Sequence, residues 1–340
     1  MAIKPILLSI VIPTYNRVKF LETEIECFAK QIIESGFDNI VEILISNDAS
    51  KDATGDYVKQ ISTKYPFVSG WSNANNLGFS ENVDYVVDKA GGKYVLISGD
   101  DDLMRDGAIS YFIKCIQDKN PNFILVNTSN ILSLDHSNRK YKVVLENRLN
   151  IDKNIFVENW QKDHDLLKEA RNWLFLTNLL PAVIFRKDLY QAEKHTALNY
   201  VNPNNVYLWQ AQVLIGISKY GKFLVIGKPY ILHRKNETNW TNNPQGIANI
   251  NIFDSAEIGK LLLHYMPNEY KRYKKLFVSF IMGRLLFWAD KGMPMRKFSW
   301  NAFRKNLDCF PENIQLLGLF IAPKLITRFA SKLRTIKNYL

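Results

Sequence analysis

The sequence predicts an α/β fold in which an open, mostly parallel sheet is flanked by helices. Three observations predict it. Short apolar runs recur over residues 6–105, amphipathic helical patterns separate them, and each run ends in a polar loop. Strands that are apolar on both faces and alternate with helices are typical of a parallel sheet covered on both sides.

The first half supplies four strands in order. They are predicted at residues 7–12, 41–45, 67–71 and 94–98. The helix after the first strand has apolar residues spaced by four, three and four, at Leu21, Ile25, Phe28 and Ile32. We expect Ser80 to cap the third helix and Gly91-Gly92 to end it.

The second half mixes strands with helices. The predicted elements are a helix at 107–117, a strand at 123–132, a polar hairpin or flexible excursion at 135–153, a helix at 160–176 and a strand at 182–185. From about residue 250 the pattern is helical without a strand signal. We therefore divide the chain into an α/β domain at 1–245 and a C-terminal helical extension at 246–340.

Three consecutive aspartates, Asp100, Asp101 and Asp102, directly follow the strand at 94–98. Ligand sites of doubly wound sheets lie at the carboxyl ends of strands. Adjacent carboxylates repel each other by about 4 kcal/mol per close pair at an effective dielectric near 20. A divalent cation such as Mn²⁺ or Mg²⁺ would relieve this repulsion. The alternative is a helix cap, which needs only one aspartate.

Three loops end strands of the predicted sheet: PTYNR (13–17), NDAS (47–50) and GDDD (99–102). None is a glycine-rich phosphate loop, which disfavours nicotinamide dehydrogenases and P-loop ATPases. The edge of the sheet would combine an aromatic side chain, an arginine, an aspartate and a metal cluster. This combination suits the binding of a nucleoside diphosphate, whose negative charge the metal would offset.

Four segments occur in a familiar order: SIVIPTYNR, EILISNDASKDAT, NNLGFSENV and YVLISGDDDLM. They resemble the successive motifs of the family 2 glycosyltransferases, which have the GT-A fold and include bacterial O-antigen and capsule sugar transferases. The resemblance implies a catalytic domain at 1–245 with a donor half at 1–105 and an acceptor half at 106–245. Asn47 departs from the aspartate usual in the family, which leaves the donor base open.

The resemblance also implies roles for single residues. The donor-binding residues would be Pro13, Thr14, Tyr15, Arg17, Asp48, Asn76, Gly78, Asp100 and Asp101. The metal ligands would be Asp102, Asp100 and His233, with an ordinary strand-end histidine as the alternative for His233. Arg234 beside it is expected to steady the diphosphate.

No residue is assigned as the catalytic base. Inverting family members carry an acid in the second half, but the corresponding stretch 203–210 contains none. An inverting displacement needs a base to take the acceptor proton. The nearest acids are Asp163, Asp165 and Glu169, for which a solvated helix face is the simpler interpretation.

The basic charge is concentrated in the tail. The net charge is +11, and residues 271–340 contain 15 Lys+Arg against 3 Asp+Glu. An apolar stripe after Pro323, flanked by basic residues, predicts an amphipathic helix on an anionic membrane surface, with a helix docked on the domain as the alternative. Nucleic acid is disfavoured because the aromatics lie in the apolar pattern. The apolar segments 276–289 and 313–329 are too short or interrupted to span a bilayer.

These observations lead to one expected function. We expect a metal-dependent glycosyltransferase that moves a sugar from a nucleotide-diphosphate sugar to a lipid-linked or oligosaccharide acceptor in O-antigen or capsule synthesis. Three widely separated cysteines predict a reducing compartment, so we expect a cytoplasmic protein peripheral to the inner face of the membrane. The alternatives are a non-catalytic membrane or polyanion adaptor on the same scaffold and a nucleotidyltransferase.

Overall fold

A computed structural model describes residues 5–135, 140–170, 173–234 and 254–274. The described residues fall into two compact units. Residues 5–198 and 208–234 belong to the first unit, and residues 199–207 with 254–274 belong to the second. The predicted boundary near residue 246 lies outside the described residues, so the predicted domain limits stay predictions.

The first unit is built on one sheet. Its strands are β1 (Leu8–Thr14), β2 (Val41–Asn47), β3 (Val68–Ser72), β4 (Tyr94–Ile97), β5 (Leu103–Met104), β6 (Phe123–Asp135), β7 (Lys140–Leu145), β8 (Ile155–Val157), β9 (Val183–Arg186) and β10 (Phe223–Arg234). Its helices are α1 (Val18–Ser35), α2 (Thr54–Lys64), α3 (Phe79–Lys89), α4 (Ala108–Lys119), α5 (Trp160–Asp163), α6 (Trp173–Leu176), α7 (Lys187–Ala192), α8 (Lys194–Leu198) and α9 (Leu208–Tyr220).

The strand order is β3-β2-β1-β4-β9-β6-β10-β5, with β7 paired to β6 and β8 paired to β10. The strands in the β3-β2-β1-β4 group are parallel to one another, and so are β6 and β10. Strand β9 runs antiparallel between β4 and β6. The predicted α/β fold with a mostly parallel central sheet is confirmed, and the carboxyl ends of β1, β2, β4, β6 and β10 meet at one edge.

The core follows the predicted periodicity. The four apolar positions of α1 are all fully buried against the sheet: Leu21, Ile25, Phe28 and Ile32. Every residue of β1 and β4 is buried as well, which is the expected pattern for central strands covered on both faces. The sheet edge is therefore held by a continuous apolar core below it.

Two expectations are changed in detail, and the choice between a hairpin and a flexible excursion at 135–153 is decided. Ser80 does not cap α3, because the helix begins one residue earlier, at Phe79. The residue before the helix is Gly78, whose φ of 83° is a backbone conformation that favours glycine. The excursion at 135–153 is a hairpin, since β7 pairs antiparallel with β6. The prediction of one continuous helix at 160–176 is wrong. The segment forms the short helix α5, then a 3-10 turn at His164–Lys168, and then the short helix α6.

The register of strand β10 against β6 shifts between Ile226 and Ile231, a bulged stretch that contains Gly227. A Cβ added at Gly227 would overlap the carbonyl oxygen of Lys153. The Gly227 N–H donates to Asn154 Oδ1 (3.1 Å), and its carbonyl accepts from Asn127 Nδ2 (2.6 Å). Only a residue without a side chain fits this close approach of two backbones.

The second unit contains the helix α10 (Ser255–Tyr265). Buried Glu257 ties this helix to residues 199–207, because its carboxylate accepts from Asn205 Nδ2 (2.7 Å) and from the Asn202 N–H (2.9 Å). None of the helices in the described ranges is long and apolar enough to cross a membrane. The predicted amphipathic tail helix lies in residues 275–340, outside the described residues.

The bulge gives a test of the fold. We expect Gly227→Ala to lower the free energy of unfolding by about 1–3 kcal/mol, because the new methyl group overlaps a backbone oxygen that cannot move alone. Urea unfolding measures the difference. Gly91→Ala is the matched control, since the nearest atom there is a side-chain oxygen at 3.3 Å. A Gly227→Ala variant as stable as the control would contradict the packing of β10.

Candidate active site

The three predicted loops meet at the carboxyl edge of the sheet. The Asp48 N–H donates to the Thr14 carbonyl (2.9 Å), which joins the loops after β1 and β2. Thr14 Oγ1 donates to Asp100 Oδ2 (2.8 Å), which joins the loops after β1 and β4. Pro13 and Thr14 are buried, whereas Tyr15 next to them is 43% exposed. The expected convergence of PTYNR, NDAS and GDDD is confirmed.

Arg17 binds the first two aspartates. Its Nε donates to Asp100 Oδ1 (3.0 Å), and its Nη2 forms an ion pair with Asp101. The guanidinium also lies over the Phe20 ring, 4.5 Å from the centroid. The triplet does not cap α4, for which no side-chain cap is found. Arg17, which is predicted to bind the donor, pairs its charge with Asp100 and Asp101 in this structure.

One arginine does not balance this cluster. Burial raises the pKa of Asp101 to about 7, and the charges of Asp102 and Asp100 add to the effect while Arg17 opposes it. Burial also raises the pKa of Asp100, against the charge of Arg17 and the hydrogen bond from Thr14. A raised pKa means that the ionised form lacks compensation. The edge of the sheet thus attracts further positive charge.

The third aspartate faces a histidine. Asp102 is 4% exposed, and its Oδ1 lies 2.9 Å from His233 Nδ1 and accepts from the Arg234 N–H at 3.2 Å. Burial lowers the pKa of His233, but the charge and hydrogen bond of Asp102 outweigh it, so that the pKa is raised. The structure therefore brings together two of the three predicted metal ligands.

Asp102 Oδ1 and His233 Nδ1 share a hydrogen bond in this structure, and a divalent cation such as Mn²⁺ would take the place of the shared proton. Two neighbouring ligands of an octahedral ion with bonds of about 2.1 Å lie about 3 Å apart, which matches the observed contact. Within the part of the chain that the structure describes, no group of three or more Asp, Glu, His or Cys residues forms a complete ligand set. Mg²⁺ and Mn²⁺ sites commonly combine one or two protein ligands with substrate oxygens and water.

Asp48 organises the loop at 73–78. Its Oδ1 accepts from the Leu77 N–H (2.8 Å), and its Oδ2 accepts from the Gly78 N–H (3.0 Å). Its carbonyl accepts from Asn76 Nδ2 (3.1 Å). Both carboxylate oxygens of this predicted donor-binding residue thus hold the loop that carries Asn76 and Gly78, so Asp48 shapes the wall of the site.

Glu24 is a buried acid that is not among the predicted site residues. It is fully buried, and its Oε1 accepts from Ser98 Oγ (2.6 Å), two residues before the aspartates. Burial raises its pKa well above 4.5; the Ser98 hydrogen bond opposes this shift, and the charges of the aspartates add to it. The signal was present, because Glu24 lies three residues after Leu21 and four before Phe28, on the apolar face of α1.

The candidates for the base do not join this cluster. Asp163 Oδ2 accepts from the Asn159 N–H (2.8 Å), and Asn159 lies next to Gly221, just before β10. Asp165 and Glu169 are exposed and pair with Lys168 and Lys153. The base therefore stays unassigned.

The model of the family described as "Glycosyl transferase family 2" matches residues 9–191, which is more than half of the 340-residue chain. The chain belongs to this family. The match includes PTYNR, NDAS and the aspartate triplet, so the residues that meet at the sheet edge all lie in the family domain apart from His233 and Arg234. The resemblance indicated by the four sequence motifs is thereby confirmed.

Among curated proteins, the chain is 31% identical over 104 residues to the GalNAc(5)-diNAcBac-PP-undecaprenol beta-1,3-glucosyltransferase of Campylobacter jejuni, covering 30% of this chain and 32% of that protein. The curated relatives are matched over 11% to 58% of their own length. Membership in a family of glycosyltransferases confirms the expected class of enzyme. The sequence similarity to the curated relatives covers only part of this chain.

Solved structures share the fold at low identity. The crystal structure of TarS 1–349 from S. aureus in complex with UDP has a TM-score of 0.62 and 16% identity, covering 95% of this chain and 88% of that one. The mannosyltransferase PcManGT from Pyrobaculum calidifontis, in complex with GDP-Man and Mn²⁺, has a TM-score of 0.52 and 12% identity, covering 98% and 83%. These likenesses confirm the GT-A type of fold.

The buried acid gives a pH-dependent prediction. Below pH 4.5 Glu24 is protonated in both the folded and the unfolded chain. Above it the unfolded chain loses this proton first, so stability falls as pH rises until the raised folded pKa is reached. We expect Glu24→Gln, which keeps the acceptor for Ser98, to remove this component. Urea unfolding from pH 5 to 8 measures it, and parallel curves for both proteins would contradict a protonated Glu24.

The ion pairs of Arg17 give a second prediction. We expect Arg17→Met to lower the free energy of unfolding by about 3–5 kcal/mol, because it leaves two nearly buried carboxylates uncompensated. Lys64→Met is the control, since it breaks an exposed pair with Glu26 and should cost at most about 1 kcal/mol. Equal losses in the two variants, measured by urea unfolding, would show that Arg17 does not neutralise the cluster.

Proposed function

We propose that this protein is a glycosyltransferase that moves a sugar from a nucleoside-diphosphate sugar to a lipid-linked or oligosaccharide acceptor in the synthesis of a bacterial surface polysaccharide such as O-antigen or capsule. The observation that carries the proposal is the convergence of Tyr15, Arg17 and Asp100–Asp102 with His233 at one edge of the sheet. Family membership adds the class of chemistry.

The donor nucleotide would lie against the loops after β1 and β2. Tyr15 offers an exposed ring for stacking on the base, and it adjoins Thr14, which is held by Asp100. Asp48 orders the loop with Asn76 and Gly78 as the opposite wall. The ligands named with the two structural neighbours, UDP and GDP-Man, belong to this class of donor.

The metal would be held by Asp102 and His233, with Asp100 as a further candidate ligand. When bound, a divalent cation supplies Lewis-acid stabilisation of the charge that develops on the leaving diphosphate. Asp100 and Asp101 stay oriented by Thr14 and Arg17, and in that position they would accept hydrogen bonds from the ribose. Mn²⁺ in the PcManGT complex supports a requirement for such an ion.

The reaction is a substitution at the anomeric carbon of the donor sugar. The acceptor hydroxyl oxygen forms the new bond, the bond to the diphosphate oxygen breaks, and the hydroxyl proton passes to a base that is not among the assigned residues. The chain's own part is to orient the donor between the two walls and to offset the charge of the departing nucleoside diphosphate.

The acceptor is proposed from two observations. The Campylobacter relative is named for an undecaprenyl-diphosphate substrate. The tail at 271–340 carries a strong excess of basic residues, which suits an anionic membrane surface where lipid-linked acceptors reside. The peripheral position at the inner face of the cytoplasmic membrane remains part of this proposal.

The proposal is tested with a panel of UDP-, GDP-, CDP- and dTDP-sugars in thermal-shift assays with Mn²⁺ or Mg²⁺. One nucleotide is expected to raise the unfolding temperature by mass action, and EDTA is expected to remove most of the increase. Asp102→Asn should lower the turnover of the identified donor by about 100-fold or more, because it weakens the metal pair.

Asp106→Asn is the matched control, since this exposed aspartate lies four residues further along the chain. Its activity should equal that of the unmodified protein. If none of the sugars and metals changes the unfolding temperature while vesicle binding is retained, the adaptor hypothesis replaces the enzyme. Turnover that is indifferent to both EDTA and Asp102→Asn would remove the metal from the proposal.

A further inference from the structure

The loop at residues 146–151, between β7 and β8, is fixed to strand β6 on both sides of Arg148. The Glu146 carbonyl accepts from Ser129 Oγ (2.5 Å), the Arg148 N–H donates to the Thr128 carbonyl (3.1 Å), and the Leu149 N–H donates to Asn127 Oδ1 (3.1 Å). Asn127, Thr128 and Ser129 are all fully buried. This loop therefore presents the Arg148 side chain from a rigid support.

The guanidinium of Arg148 has little to bind within the protein. Its Nη2 donates to Asn130 Oδ1, and its buried Nε has no hydrogen-bond acceptor among the described residues. It forms no ion pair with any described residue, although a guanidinium carries five N–H donors. A partly buried charge without an ion pair costs stability, and an anionic ligand would offset that cost.

Arg105 shows what a structural arginine looks like at the same hairpin. Its Nε donates to the Pro229 carbonyl (2.9 Å), and its Nη2 donates to Ser129 Oγ (3.1 Å) and pairs with Glu146. These bonds lock the loop to β10 and use the charge within the protein. Arg148 lies two residues from Glu146 and lacks any such acid among the described residues.

The position of Arg148 connects it to the metal pair. Asn130, which binds its guanidinium, pairs with His233 in the register of β6 and β10. Paired residues of parallel strands point to the same face of the sheet and lie about 4.8 Å apart. Burial lowers the pKa of Arg148, and the nearby charge of Asp102 opposes this shift. Arg148, Asn130, His233 and Asp102 therefore form one row at the edge of the sheet.

We propose that Arg148 binds the diphosphate of the donor next to the Asp102–His233 pair and holds it as the leaving group departs. The inference rests on the proposed function, and it names a binding residue outside the family's four sequence motifs. Two parallel N–H groups of a guanidinium match two phosphate oxygens, and the positive charge offsets the negative charge that the diphosphate gains when its bond to the sugar breaks.

The test compares Arg148→Met and Arg148→Lys with Lys142→Met, which removes an exposed charge from the same hairpin. Calorimetry with UDP, GDP, CDP and dTDP in the presence of Mg²⁺ measures affinity. For the nucleotide that binds the unmodified protein, we expect Arg148→Met to lose about 10- to 100-fold in affinity. Arg148→Lys should retain part of it, and Lys142→Met should stay within about twofold.

The unfolding temperature separates binding from structure. An unpaired cation contributes no ion pair to the fold, so Arg148→Met should unfold at the same temperature as the unmodified protein or higher, whereas Arg105→Met should unfold lower. A drop in Arg148→Met as large as that in Arg105→Met would overturn the inference in favour of a structural role.

The remaining outcomes are also decisive. If the unmodified protein binds a nucleoside diphosphate and Arg148→Met binds it equally well, this inference fails and the proposed function stands. The inference fails in the same way if only the KM for the acceptor rises, since the phosphate bound would then belong to the acceptor. If the unmodified protein binds none of the four nucleotides, the proposed function fails and the inference with it.

Discussion

Carboxylates are concentrated at one edge of the sheet, and the surrounding residues partly offset the repulsion between their negative charges. Three aspartates in succession follow β4, and a fourth acid, Glu24, lies buried beneath them. Arg17 binds two of the aspartates, and His233 contacts the third. Burial raises the pKa of Glu24 well above 4.5, which favours the neutral form of its carboxyl group. Even so, burial and the neighbouring aspartates keep the pKa of Asp101 at about 7, so the edge remains a site that attracts cations.

The parallel arrangement of the strands explains why these groups meet. Each strand of the β1, β2 and β4 set runs in the same direction, so all three end at the same edge. Strand β10 adds the histidine from the far side of β9 and β6, with a bulged stretch that contains Gly227 before His233. Residues from the first and the second half of the chain are thus joined through one sheet, which keeps Asp102 and His233 in contact.

The sequence predicts most of the strands and the donor loops because their signals are local. The apolar run before Asp100 and the spacing of Leu21 and Ile25 each depend on neighbours within one element. Glu24 also had such a local signal on the buried face of α1. The helix at 160–176 was predicted too long, since its periodicity does not reveal where a 3-10 turn shortens it.

The amino-acid sequence by itself determined the fold class, the family motifs and the dense negative charge after β4, because these depend on residue order within short segments. Only the tertiary structure decided that Arg17 pairs with the aspartates, that Asp102 faces His233, and that Arg148 lies beside Asn130 with no ion pair to any described residue. Those contacts join residues up to 131 positions apart. The order of the strands and the pairing of strands distant in sequence set these contacts, and no single segment of the chain reveals either of them.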